Sequence, residues 1–261
     1  MQLNVQGHKL FYISQGQGSK GLIFLHGLCG DHRVWQKNIP YFSSDFKVVA
    51  LDLWGHGNSS KIIDPKEAFE TLPIVLDQLI EEESLEQVVL IGHSISGNVL
   101  YAHMQRNNPK MKAYVFVDCT CNASERIVDS RNQFAQKFLT YSESELSGHV
   151  QRWYQTMMDE EVSLQDQNLI LSALEKLEGN WVFEFLQVTN TLRPVIASRV
   201  PILLFESQWL TKDQPERSFV TIFPDAILER WPIAHHFFFV SHAETFNRKL
   251  IGFASEVFDV D

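Results

Sequence analysis

Val88-Val89-Leu90-Ile91-Gly92-His93-Ser94-Ile95-Ser96-Gly97-Asn98-Val99-Leu100 joins an apolar run to the start of a second periodic segment. The first four residues, largely β-branched, read as a buried strand, and residues 95 onward read as a helix. Ser94 therefore falls on a very short connection. Gly92 and Ser96, with Gly97 behind, are small enough for strand and helix to pack closely where the chain reverses. A serine so placed stands at the carboxyl end of a strand and the amino end of a helix, where free N–H groups favour developing negative charge. A short Gly-x-Ser-x-small match on its own also fits a serine that only caps a helix. The catalytic reading requires a base, an acid to orient it and an oxyanion site elsewhere in the chain, because an unassisted hydroxyl is a weak nucleophile.

Outward from this turn the same alternation recurs. Residues 21–25, 46–53, 111–117, 202–205 and 226–231 read as further strands, and residues 2–13 as an edge hairpin. Asp31 is placed to cap a helix running through Trp35 and Ile39. Phe69, Leu72, Val75, Leu76, Leu79 and Ile80 form the stripe of a helix over 68–83 that covers a sheet. The helix after Ser94 runs to about residue 107, where Asn108-Pro109 stops it; residues 213–220 and 242–258 read as the last helices. This pattern predicts an α/β protein with a mostly parallel twisted sheet, helices on both faces and a site outside the carboxyl ends of the strands. Between 119 and 199 the alternation gives way to helical segments only. The expected organisation is a core of 1–118 and 200–261 with a helical cap inserted at 119–199.

Composition narrows the function. Of 261 residues, 44% are hydrophobic and 21% charged, enough apolar material for one large core. The formal charge of −10, from 22 Lys+Arg against 32 Asp+Glu, argues against nucleic-acid and anionic-membrane partners, which are bound through basic patches. Cys29, Cys119 and Cys121 are an odd set and suggest no disulfide framework. No apolar run approaches the ~18 residues that span a bilayer and the first residues lack the pattern of a signal peptide, so a soluble, cytoplasmic protein acting on a small molecule is expected. Oligomeric state is not legible.

His26-Gly27, Asp52-Leu53-Trp54-Gly55-His56-Gly57-Asn58-Ser59, Gly92-His93-Ser94-Ile95-Ser96-Gly97 and Ala234-His235-His236-Phe237 occur in an order and setting that resembles the α/β-hydrolase superfamily. The resemblance covers nearly the whole chain except the cap. It implies a serine nucleophile at Ser94, a histidine base at His236 after the last strand, and oxyanion donors in the N–H groups of Leu28 and Ile95. His235 is the neighbouring alternative base, at a place where relatives usually carry glycine. His26, His93, Asp52 and His56 are expected to hold loops through buried hydrogen bonds. The acid departs from the family pattern: where many relatives show Gly-x-x-Asp after the strand ending at Phe205, this chain has Ser207-Gln208-Trp209-Leu210. Asp118, Glu206 and Asp213 are the candidates, with Asp118 preferred because a neighbouring strand end can deliver a carboxylate to the same imidazole.

The leading expectation is a hydrolase of small or medium, largely apolar carboxylic esters that works through an acyl-enzyme and needs neither metal nor other cofactor. Dehalogenase and epoxide-hydrolase chemistry is disfavoured, since those relatives place aspartate where Ser94 stands. Two other classes stay open. Cys29-Gly30-Asp31-His32-Arg33-Val34, Asp118 and Phe205-Glu206-Ser207-Gln208 resemble the cofactor-free ring-cleaving dioxygenases of this fold, although Gly30 stands where a histidine is expected. A non-catalytic ligand receptor on the same fold is the third.

Overall fold

The computed structural model describes residues 1–177, 179–212 and 215–259. Eight strands form one sheet: β1 (Gln2–Val5), β2 (His8–Gln15), β3 (Lys20–Leu25), β4 (Lys47–Leu51), β5 (Gln87–His93), β6 (Met111–Val117), β7 (Ile202–Ser207) and β8 (Ile227–Trp231). Their spatial order is β1-β2-β4-β3-β5-β6-β7-β8. β1 and β2 pair antiparallel, as do β2 and β4; every later pairing is parallel. From β3 to β7 the strands are buried almost from end to end, as parallel strands covered on both faces must be, whereas the edge strands β1 and β8 are largely open.

The helices are α1 (Ile39–Phe42), α2 (Pro65–Glu82), α3 (Ser96–Met104), α4 (Glu125–Leu139), α5 (Glu143–Thr156), α6 (Leu164–Ser172), α7 (Trp181–Thr189), α8 (Gln208–Thr211), α9 (Phe238–Ser241) and α10 (Ala243–Asp259). α2 packs on α3, and α3 on β5 and β6, while α10 packs on α1, α9 and β6. Between β6 and β7 only helical elements occur among the described residues, α4 to α7 with a 3-10 turn at Ala173–Lys176. Among the described residues no helix is long and apolar enough to cross a membrane.

Two predicted helices are shorter than expected. After Asp31, whose side chain accepts from Arg33 N–H, the chain makes only a 3-10 turn at His32–Trp35 and then begins α1. Pro40 explains the break, because proline is accommodated in the first turn of a helix and not in its interior. The helix predicted for 213–220 is instead two 3-10 turns, Pro215–Arg217 and Phe219–Thr221, with Asp213 outside the described residues. Ser218 between them is extended, and its hydroxyl accepts from Val220 N–H, a local bond that competes with helix.

At the carboxyl end of β4, buried Asp52 organises the adjoining loops. Its Oδ1 accepts from the His32 amide and lies 2.7 Å from His32 Nδ1; its Oδ2 accepts from the Asn58 amide. Nearby, His26 Nε2 accepts from Leu53 N–H at 2.9 Å, and His56 Nδ1 lies 2.8 Å from Trp54 O. Asp52→Asn turns one acceptor into a donor facing a donor, so an unfolding titration in urea is expected to show a loss of about 1–3 kcal/mol. Burial also lowers the pKa of His26, His56 and His93, that of His56 to about 3. These rings stay neutral in the folded chain and take up protons on unfolding, so they contribute stability above ~6.5 that is lost as pH falls. Burial raises Asp118 and Glu206, which opposes the trend with fewer groups. The melting temperature is therefore expected to fall between pH 7 and pH 5.5; a flat or rising profile contradicts the assignment of neutral buried rings.

Candidate active site

Ser94 follows β5 directly. Its N–H still bonds Val117 O of the adjacent strand at 3.0 Å, and its φ of 55° then turns the chain into α3 within two residues. A left-handed φ on a residue with a side chain is strained, and such strain is held at sites where surrounding structure fixes it. Close packing permits the turn: a Cβ on Gly92 would lie 3.1 Å from Ser96 Cβ and 2.8 Å from Leu100 Cδ1. Asp118 repeats the arrangement one strand over, with its N–H on Phe205 O at 2.8 Å and a φ of 48°. Both side chains are thus lifted off the ends of β5 and β6.

The Asp118 carboxylate is fully buried and meets three donors. Oδ1 accepts from Ser207 N–H at 2.7 Å, Oδ2 accepts from Ser207 Oγ at 2.8 Å, and Oδ2 lies 2.7 Å from His236 Nδ1. A carboxylate only accepts, so Nδ1 carries the imidazole proton and Nε2 is left as the basic nitrogen. Burial lowers the His236 pKa well below its ordinary value, so the resting ring is neutral. Trp209 and His93 flank it, each with a ring centroid 4.4 Å away.

The other candidates separate clearly. His235 is buried with Nδ1 accepting from Phe237 N–H and Nε2 3.1 Å from Ser241 Oγ, and it does not line the cavity that holds Ser94. Glu206 accepts from Ser218 Oγ at 2.5 Å and does not bond either histidine. Leu210, at the position where the family aspartate is expected, is a buried residue of α8. The Cys29 thiol is buried and its pKa raised by that burial, which makes it a poor nucleophile.

Ser94, His236, Leu28 and Ile95 line one cavity of about 240 Å³, and Trp209 and Tyr154 close part of it. The Ser94 hydroxyl makes no hydrogen bond among the described residues, and neither do the Leu28 and Ile95 amides. Two unpartnered N–H groups beside a serine are the inventory of an oxyanion hole. Gly27 is needed for the first: a Cβ there would lie 2.8 Å from His93 Nδ1 and 3.1 Å from Ser94 Cβ. His26 fixes the same loop, since Ser96 Oγ donates to its carbonyl at 2.5 Å. α5 reaches down from above: the Tyr154 hydroxyl donates to Leu28 O, and the His236 amide donates to Met157 O at 2.9 Å. Sequence reasoning did not single out Ser207 or Tyr154. Ser207 carried one usable signal, a hydroxyl at the strand end next to the missing aspartate; Tyr154 carried none beyond its place in an aromatic stripe.

Among the described residues, two groups of side chains could each gather around a cation, Asp31 with His32 and Asp52, and Asp159 with Glu161 and His235, the donor atoms of each within 4.8 Å of one another. In the first, Asp31 pairs with Arg33 and Asp52 is taken up by amides, so the donors already have partners. Neither group borders the cavity that holds Ser94.

Residues 21–242 match the model of a family described as the alpha/beta hydrolase fold. Over 99 residues the chain is 34% identical to the dihydrolipoyllysine-residue acetyltransferase component of the acetoin cleaving system of Cupriavidus necator, a match that spans 37% of this chain and 25% of that protein. The structure superposes on an epoxide hydrolase of Bacillus megaterium with a TM-score of 0.78 at 18% identity, over 98% of this chain and 100% of the other. It superposes equally widely on an esterase of Thermogutta terrifontis, TM-score 0.74 at 17% identity, over 98% of each chain. At these identities the structural likeness is one of fold. With the family match extending over most of its length, the chain belongs to the alpha/beta hydrolase fold family.

Proposed function

We propose that this protein is a serine hydrolase of small or medium carboxylic esters. The observation that carries the reading is the conjunction in one cavity of an unpartnered Ser94 hydroxyl, a neutral His236 whose Nδ1 is held by Asp118, and two unpartnered amides at Leu28 and Ile95. Ser94 Oγ attacks the ester carbonyl while His236 Nε2 takes its proton, and the carbonyl oxygen, now negative, is held by the two amides. His236 returns the proton to the departing alkoxide, leaving an acyl group on Ser94. Water, deprotonated by the same nitrogen, then releases the acid and restores the serine. Asp118, fixed by Ser207, keeps the imidazole in the tautomer this cycle requires. In this reading the segment 119–199 is a cap over the cavity, and Phe134, Trp153, Met157 and Leu186 give it an apolar wall suited to a hydrocarbon part of the substrate.

A fluorophosphonate probe is expected to label the protein, with no labelling in Ser94→Ala or His236→Ala. Asp118→Asn is expected to lower kcat for a 4-nitrophenyl ester by about 10⁴, the scale set by loss of the correct tautomer. Full activity in Asp118→Asn, or wild-type protein that resists the probe at every pH, overturns the reading, and the second result favours a ligand receptor. Tyr154→Phe leaves the buried Leu28 carbonyl without its donor; it is expected to lower kcat roughly 10–100-fold, with KM nearly constant, because the loop it holds supplies an oxyanion amide.

A further inference from the structure

Among the described residues, those lining the Ser94 cavity include two arginines, Arg131 and Arg217, and no aspartate or glutamate. That is notable in a chain with 32 acidic and 22 basic residues. Arg131 projects from α4, and its Nε donates to Asn190 Oδ1 at 2.7 Å. Its two terminal nitrogens make no hydrogen bond and no ion pair among the described residues. Other arginines are treated differently: Arg33 pairs with Asp31, Arg106 with Asp77 and Arg126 with Glu216, while Arg193 lies over the rings of Phe69 and Tyr101.

A half-buried guanidinium whose terminal nitrogens lack partners is electrostatically unfavourable unless an anion reaches it from the cavity. Burial and the nearby Arg217 lower the Arg131 pKa, to about 10, the direction expected of a cation that lacks a counter-charge. With Nε occupied by Asn190, the terminal nitrogens are left as a parallel pair of donors, the geometry that matches two carboxylate oxygens. Ser130 and Thr120 add hydroxyls to the same lining, and Phe134, Trp153, Met157 and Leu186 supply apolar surface.

We propose that Arg131 forms an anion-binding end of the cavity, and that the ester turned over at Ser94 has an apolar chain ending in a carboxylate. The proposal rests on the esterase reading for its chemistry and on Arg131 for its ligand class. It amends the expectation of a largely apolar substrate, keeping the apolar body and adding a charged terminus.

The test compares mono-4-nitrophenyl hexanedioate with 4-nitrophenyl hexanoate, equal in carbon number and differing in the terminal carboxylate. The wild type is expected to favour the first by tenfold or more in kcat/KM, a ratio that shrinks with added salt. In Arg131→Gln the ratio is expected to fall roughly 10–100-fold, the scale of a hydrogen-bonded charge pair, with partial recovery in Arg131→Lys. Equal kcat/KM for the two esters in the wild type, or the same ratio in all three proteins, overturns the proposal. Binding separates it from the esterase reading: Ser94→Ala protein, which cannot turn over ester, is titrated calorimetrically with hexanedioate and with hexanoate. Tighter binding of hexanedioate, lost in the Ser94→Ala/Arg131→Gln double variant, upholds the anion site even where neither ester is hydrolysed. Absence of that preference in Ser94→Ala overturns it even where both esters are hydrolysed.

Discussion

A carboxylate cannot be buried without donors, and the way Asp118 meets that demand organises the whole site. Its three partners come from two other parts of the chain, the Ser207 amide and hydroxyl at the end of β7 and the His236 ring after β8. Because Asp118 itself closes β6, satisfying one charge ties the last three strands of the sheet together at a single point. The cost of leaving such a group unpaired is several kcal/mol, so the imidazole is held by the same energetics that hold the fold. On the other side, Ser94 and the Leu28 loop are set by β5 and β3, which are hydrogen-bonded neighbours. Ser94, Leu28, Ile95 and His236 thus line one cavity because parallel strands end together, not because any loop reaches far.

This geometry explains why some of the site could be read from residues alone. Apolar runs such as 88–91 and 111–117 read as central strands, and the place of Ser94 at the end of one of them followed directly, while His236 was singled out through the family resemblance. The acid was harder. Asp118 and Glu206 both stand at strand ends, and only the three-dimensional arrangement shows that one faces His236 while the other turns to Ser218. The helices of 119–199 have no strand frame to fix their orientation, so nothing in the sequence set Tyr154 or Arg131 apart. Around residues 31–42 the amphipathic pattern suggested a longer helix than Pro40 allows.

The segment above the sheet is bonded to the machinery at two backbone groups, Leu28 O through the Tyr154 hydroxyl and the His236 amide through Met157 O. Both links come from α5 and its end, and they reach the Leu28 loop and the His236 loop respectively. Further out, Lys37 pairs with Asp166 at 2.5 Å and Arg33 donates to Ser172 O at 3.0 Å, so α6 is also anchored to the core. The upper layer is therefore part of the frame in which the loops are positioned, and the aromatic surface it presents is fixed relative to Ser94.

Placing the acid at the end of β6 has one more consequence. In the pattern this chain departs from, the connection that follows β7 must deliver a charged group to the imidazole, and its length and shape are constrained accordingly. Here that duty is discharged one strand earlier, and the stretch leading to β8 keeps only Ser207 as its obligation. Trp209 and Arg217 occupy the released ground, one with its ring tilted against the imidazole and the other bordering the chamber. A relocated charge has in effect converted a structural tether into surface that natural variation can reshape to suit a different guest.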